Sequence, residues 1–294
     1  MKDKYSFTVA IPTYNSSKYL KECIYGFRDS NYLNEILVGD DYSTAEELEQ
    51  IKKIIQRASK YFSFDIKLLE NSKNNGAFKN KYNLVESSKN EWVYQIDSDN
   101  VPFPKIDQVV SNIIKNHNSN TYIYYPSKLT QFWKYKKIAK VFSRVQKKYI
   151  VRFAKDLEIF DINKTKNAIN EFLDYDTTGE VEGSPEINSK FVLDKHIYWV
   201  LNCGNFIVNK NQFIDAMKHG LNFSREILAM DAVAFSYLWL KGNGSIVLHP
   251  KFGHYHRKRI DSVSYIEKDS SKISRKYFTD QILSLQNTNI NTNK

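Results

Sequence analysis

Short apolar runs alternate with longer amphipathic stretches through the first hundred residues. Phe7–Ile11, Ile36–Gly39, Phe64–Leu69 and Trp92–Ile96 are too short to be buried helices, and each closes on polar or turn-forming residues, so they read as strands. Between them, Ser16–Arg28, Thr44–Tyr61 and Gly76–Ser88 carry apolar residues at helical spacing. Leu20, Ile24 and Phe27 share one face of the first, with Ser16 or Ser17 as its cap. Continuous apolar strands separated by helices imply a parallel sheet covered on both faces. Such sheets bind ligands at the carboxyl ends of their strands, and Thr13–Asn15, Asp40–Asp41 and Asp97–Asp99 all fall there.

The second half is less regular. Pro102–His117 predicts a helix, Tyr122–Tyr125 a strand, and Phe132–Lys155 a helix with Ile138, Val141, Phe142, Val145, Tyr149 and Phe153 on one side. Glu171–Glu186 is acidic and turn-rich, hence a loop. Phe206–Val208 predicts a strand, Asp231–Lys241 a helix and Ser245–Leu248 a strand. Beyond Ser264 the chain turns polar and ends in Asn/Thr repeats expected to fray.

A chain of 294 residues, rich in aromatics and poor in Gly and Pro, can bury one sizeable core. Its net charge of +10 is local: residues 131–155 hold nine Lys or Arg and no acid, and the remainder has 34 basic residues against 33 acidic ones. That argues against a nucleic-acid coat, which would spread its charge over the molecule. The basic stretch has three readings. Its cationic residues flanking an apolar stripe suit an anionic bilayer surface, at about 1 kcal/mol per well-placed charge; packed on the core instead, it would show its charges to solvent or to an acidic glycan. Cys23 and Cys203 make neither a disulfide framework nor a zinc site, and Cys23 falls in an apolar stripe, where it reads as core. Phe7–Ile11 is too short for a secretory segment, and no apolar run approaches the ~20 residues of a membrane span, so a cytoplasmic protein is expected.

Carboxylates at Asp97 and Asp99, just where an apolar strand breaks, are suited to a hard dication that bridges them to phosphates. Taken with VAIPTYN at Val9–Asn15, GDDYST at Gly39–Thr44 and Asn74–Gly76, they resemble the motifs of family 2, GT-A-fold glycosyltransferases of bacterial surface glycans. The resemblance covers roughly residues 6–100 well and 200–264 loosely. It implies an α/β fold with a mixed, mainly parallel sheet and helices on both faces. The single domain would run over 1–264: a nucleotide-binding half to about 125, a basic helical insertion at about 131–195 and an acceptor-side half from 196. Residues 265–294 would be a tail.

The family's roles carry over where residues match. Asp41, with Asp40 beside it, would hold the donor base, usually uracil, and Pro12, Thr13 and Tyr14 would line the base and ribose pocket. Asp97, with Ser98, would contact ribose or metal-bound water, or join Asp99 on Mn²⁺ or Mg²⁺. Two departures stand out: Ala45 replaces a frequent Asp, and Lys79-Asn80-Lys81 replaces the usual Ala-Arg-Asn. One of those lysines, Lys79 foremost, would face the donor diphosphate or else solvent. Leu201–Lys210 resembles the family's Gly-Asn segment. Asp231 resembles the catalytic base, with Met230 in place of the first acid, although a helix cap would also favour a carboxylate there. In GHYHR, His254 and His256 share a face of an extended chain. One could complete the metal shell, while Arg257 or Arg259 clamps a phosphate; His249 and His196 read as structural.

The resemblance therefore implies inverting transfer from a nucleoside diphosphate sugar, UDP-linked foremost, to a bacterial glycan or lipid-linked glycan at the inner face of the membrane. The rival readings are an inactive glycan-binding scaffold and a basic nucleic-acid-binding protein. The second is disfavoured, because Asp41, Asp97 and Asp99 at one sheet edge would repel phosphate.

Overall fold

In the computed structural model the described residues are 5–116, 121–132, 150–152, 154–162, 164–165, 200–201, 203–223 and 230–257. The apolar runs of the first half become β1 (Phe7–Thr13), β2 (Leu33–Asp40), β3 (Asp65–Glu70) and β4 (Trp92–Gln95). Between them lie α1 (Ser17–Tyr25), α2 (Ala45–Ala58) and α3 (Ala77–Glu86). The side chains of β1 alternate as a sheet buried on both faces requires. Phe7, Val9 and Ile11 face one core with α1, α2 and α4 (Ile106–Asn116), whereas Ala10 faces the other. Cys23 is fully buried in the first of these cores, as its stripe predicts.

The second half supplies β5 (Val101–Pro102), β6 (Tyr122–Phe132), β7 (Ile150–Arg152), β8 (Glu158–Phe160), β9 (Phe206–Asn209) and β10 (Ser245–Arg257). It also supplies α5 (Lys210–Met217) and α6 (Asp231–Lys241). One sheet of ten strands among the described residues runs β3-β2-β1-β4-β9-β6-β10-β5, with β7 on β6 and β8 on β10. β1 is parallel to β2 and β4, β2 to β3, and β10 to β6. β9 lies antiparallel between β4 and β6. The sheet is thus mixed, with its parallel stretches flanking an antiparallel insertion, and helices cover both faces.

Two expectations change. The helix expected over 132–155 has strand at Phe132 and at Ile150–Arg152, because Thr130 pairs with Ile150 and Lys128 with Arg152. Its central residues, 133–149, lie outside the described residues, as do the 171–186 loop, Arg259 and the tail after 264. The last strand does not stop near Leu248. It continues through GHYHR after a register shift between His249 and Gly253, where it leaves β8 and meets β5. Among the described residues no helix is long and apolar enough to cross a membrane.

α3, α5 and α6 pack together on one face through a cluster of rings. Phe78 stacks on Phe235 at 4.6 Å, and Phe213 lies 5.4 Å from Phe235. Offset stacking of buried rings adds roughly 0.5–1.5 kcal/mol to their area burial. Phe78 precedes Lys81 by one turn and Phe235 follows Asp231 by one turn. This packing therefore sets the distance between the two charged side chains.

Candidate active site

The carboxyl ends of β1, β2 and β4 meet along one edge, as parallel pairing requires. Thr13 registers with Asp40, and the Asp41 amide donates to the Thr13 carbonyl at 3.0 Å. Pro12 lies in β1 opposite Gly39. The hydroxyl of Ser16 occupies the cap position of α1 without capping it. It bridges Thr13 Oγ1 at 2.9 Å and Ser98 Oγ at 3.0 Å instead, tying the end of β1 to the turn after β4. The Ser17 amide is taken by Glu47 of α2 at 2.9 Å, so the helix start is satisfied from outside.

The aspartate pair after β2 is built into turns. Asp40 accepts from the Ser43 amide at 3.0 Å and the Ser43 hydroxyl at 2.5 Å. Asp41 accepts from Asn71 Nδ2 at 2.9 Å and from the amides of Asn75 and Gly76 at 2.8 Å each. Gly76 has φ 83°, a region that favours glycine, and this places its amide where Asp41 needs it. The carboxylate of Asp41 thus fixes the Asn74–Gly76 loop. Tyr14 stands exposed at the rim, and Lys79 lies half-buried on α3.

The centre of the site is Lys81. Its Nζ lies 2.8 Å from Asp97 Oδ1 and 2.7 Å from Asp231 Oδ2, and the side chain is 6% exposed. Burial by itself would lower the lysine pKa. The Asp231 and Asp97 carboxylates overcome that and hold it above the ordinary value, so the ammonium stays charged. One ammonium between two carboxylates leaves a buried negative charge. Asp97 accordingly sits above the ordinary carboxylate range: burial is the largest cause, Lys81 opposes it, and Asp99 and Asp231 add to it. Asp231 opens α6 but makes no capping hydrogen bond there, its carboxylate reaching Lys81 instead. A Cβ on Gly204 would stand 3.1 Å from Lys81 Nζ and 3.2 Å from Asp97 Oδ2, so the bare backbone there keeps the triad open.

The segment before β9 holds the turn after β4. Asn205 Oδ1 accepts from the Asp97 amide at 2.8 Å, and Gln95 Nε2 donates to the Gly204 carbonyl at 3.1 Å. Asn205 Nδ2 meets His254 Nε2 at 3.3 Å, and the rings of His254 and His256 lie 5.7 Å apart. Burial, with His256 beside it, holds His254 well below the ordinary imidazole value, hence neutral. Arg257 faces inward. Its Nε donates to the Asp99 carbonyl at 3.0 Å, its guanidinium pairs with Glu22 and lies over the Tyr19 ring at 4.6 Å, and its amide donates to Asn100 Oδ1 at 3.2 Å. Arg257 therefore braces the Asp97–Asn100 turn.

A divalent ion can be tested against these donors. Among the described residues no group of three or more His, Cys, Asp or Glu side chains forms a ready cage. Asp99 is half-exposed, and His254 Nδ1 is a buried nitrogen with no hydrogen-bond partner, as a ligand position would be. The set fits a hard dication that takes one or two carboxylates and completes its shell with phosphate and water.

Gly204, Asn205 and Ser16 were not given site roles in the sequence, and Lys81 was only the second of two lysines offered for the diphosphate. For Lys81 a signal existed: Phe78, Lys81, Tyr82 and Val85 share the buried face of α3, and a lysine in such a stripe needs a carboxylate partner. Lys79, two residues earlier, lies off that stripe. Asn205 was marked only as part of the Leu201–Lys210 segment and Ser16 only as a helix cap; their contacts with the turn after β4 span 108 and 82 residues.

A family model described as glycosyl transferase family 2 matches residues 8–178. The SPbeta prophage-derived glycosyltransferase SunS of Bacillus subtilis (strain 168) is 31% identical over 137 residues, covering 41% of this chain and 30% of that protein. Glycosyltransferase SunS of Bacillus phage SPbeta matches to the same extent. The matched region thus spans less than a third of the length of these curated relatives. Among solved structures, S. aureus TarS 1–349 has a TM-score of 0.49 at 17% identity, covering 86% of this chain and 60% of that one. Its complex with UDP-GlcNAc scores 0.46 at 16% identity, covering 86% and 59%.

Proposed function

The chain belongs to glycosyl transferase family 2, and we propose that this glycosyltransferase moves a sugar, with inversion, from a nucleoside diphosphate sugar to a bacterial glycan or lipid-linked glycan. The donor is foremost a UDP-sugar, on the resemblance of Asp41 and the motif around it to the family's base-binding pair. One observation carries the reading: Lys81 joins Asp97, at the end of β4, to Asp231, at the start of α6. A buried ion triad is expensive to form, since desolvating each charge costs several kcal/mol. Its position at the sheet edge where α/β ligands bind supports a catalytic use.

In the proposed reaction Asp231 accepts the proton of the acceptor hydroxyl as that oxygen bonds to the anomeric carbon. The bond from that carbon to the diphosphate breaks, and its electron pair leaves with the nucleoside diphosphate. Lys81 orients the Asp231 carboxylate and places a positive charge beside the leaving phosphates. Mn²⁺ or Mg²⁺, held by Asp99 with Asp97, His254 and His256 at hand, would supply Lewis acidity to the departing diphosphate. Arg257 keeps the Asp97–Asn100 turn in place, and Tyr14, Thr13 and Pro12 line the donor pocket. The membrane surface proposed for residues 131–155 rests on sequence, since 133–149 lie outside the described residues.

The test is nucleotide release by purified protein across UDP-, GDP-, dTDP- and CMP-sugars, with Mn²⁺, with Mg²⁺ and with chelator. Metal-dependent release of one nucleotide, lost in Asp99→Ala, is expected. Failure to release or bind any nucleotide overturns the reading.

A further inference from the structure

We propose that Tyr42 is a donor-binding residue, its ring forming a second aromatic wall, with Tyr14, for the planar base of the nucleoside diphosphate. The proposal rests on the nucleotide-sugar reading above and adds to it a residue that neither the motifs nor the family match assigns.

Tyr42 and Tyr14 are both exposed, at 59% and 47%. Tyr61 is more exposed still, but it lies just after α2 and not at the carboxyl edge of the sheet. Both exposed rings project from the carboxyl ends of neighbouring strands, one residue beyond the Thr13–Asp40 pair for Tyr14 and two beyond it for Tyr42. Among the described residues neither ring packs on another aromatic. An aromatic face left in water at a ligand edge is suited to stacking on a base, whatever the base's hydrogen-bonding pattern.

The backbone makes the same point independently. Tyr42 has φ 69°, in the left-handed region, which is an outlier for a bulky residue and costs nothing for glycine. Asn15, next to Tyr14, has φ 45°. These conformations persist because the turn is over-determined on both sides. Asp41 is anchored by three hydrogen bonds and Ser43 by its two to Asp40. The loops are also laced together: Asn15 N donates to Ser43 Oγ at 2.9 Å, and Thr44 N to Asn15 Oδ1 at 3.0 Å. A turn that holds an exposed tyrosine in a glycine conformation gains nothing in folding from that side chain, which points to use by a ligand.

The spacing selects the base rather than an acceptor sugar. The end of β2 is two strands from the end of β4, about 10 Å across the sheet. Asp97 and Lys81 mark the reaction centre at β4. A nucleoside diphosphate bridges that separation with its base at β1–β2; one sugar ring at the reaction centre does not reach so far.

The experiment is calorimetric titration of the full chain with UDP, GDP, CDP and dTDP in Mg²⁺, on wild type, Tyr42→Gly and Tyr42→Phe, beside thermal melting of each. Tyr42→Gly is expected to melt at an equal or higher temperature while losing about tenfold or more in affinity for the preferred nucleotide. Tyr42→Phe is expected to keep that affinity. A glycine variant that binds like wild type overturns the proposal, as does a phenylalanine variant that loses as much as glycine. If wild type binds none of the four nucleotides, the donor reading itself falls and this one with it.

Discussion

On the parallel side of the sheet, β3-β2-β1-β4, the polar residues of the site follow their own strands directly, and neighbouring turns at the same edge hold them. Asp40 is held by Ser43, Asp41 by Asn71–Gly76, and Ser98 by Ser16. On the antiparallel side the site residues come from different places in their elements. Asn205 precedes β9, His254 and Arg257 lie within β10, and Asp231 opens α6. They reach the edge only because β9 inserts beside β4 and α6 packs on α3. The parallel half is therefore assembled from the ends of adjacent strands, whereas the other half depends on how β9 and α6 pack against it. The two are joined by charge at Lys81 Nζ, between Asp97 and Asp231, and again at the Arg257–Glu22 pair.

Removing the far half's contribution to chemistry should have the largest effect. Asp231→Asn is expected to lower transfer by about 10²–10⁴-fold, the usual worth of a general base, with nucleotide binding retained in calorimetry. Transfer at near wild-type rate would place the base elsewhere. Breaking the junction itself comes next. Lys81→Met leaves the part-buried Asp97 and Asp231 without their cation and should cost about 2–4 kcal/mol in urea unfolding. Adding Asp231→Asn to that variant should return part of the loss, with a coupling of about 0.5–3 kcal/mol; strict additivity would mean the ion triad does not couple the halves.

Phe235→Ala attacks the same junction through packing. It should cost roughly 3–5 kcal/mol by denaturant titration and lower transfer as well, since it loosens the distance between α3 and α6. The parallel half should be more local in its response. Asp41→Asn is expected to cost about 1–3 kcal/mol and to expose residues 71–76 to limited proteolysis, with the unfolding of the remainder still cooperative.

The smallest effect is acid-dependent. The folded-state pKa of His254 lies below its unfolded value of about 6.5, so its neutral burial supports the fold above that pH. That support is lost as pH falls towards the depressed folded value, at no more than about 1.4 kcal/mol per pH unit. In His254→Asn the slope of unfolding free energy between pH 7 and 5 should flatten; an unchanged slope would mean that other groups control the acid limb.

The elements of the first half were legible because each strand-forming run and its turn lie within one short window. Asp231–Lys241 was legible too, since a helix beginning at an acid and ending before Gly242 carries its own signals. The ends of the basic stretch departed from its period for the opposite reason. Its period is helical, yet Lys128–Thr130 pair with Ile150–Arg152, and pairing between segments some twenty residues apart overrides local period. Ser16 shows the same on a smaller scale. It has the residue type and position of a cap, but its hydroxyl has stronger claims from Thr13 and Ser98.

What the sequence by itself determined is the alternation of apolar runs and helices, and with it a sheet whose carboxyl edge gathers Thr13, Asp41, Asp97 and Asp99. These depend on periodicity and on strand ends, which are local properties of the chain. Only the tertiary structure decided that Lys81, not Lys79, enters the site, that Asp231 lies against it, and that Arg257 turns inward to Glu22. The reason is physical: a buried charge is tolerated only where an opposite charge is brought to it, and the residues that bring it here are 16 to 235 positions away along the chain.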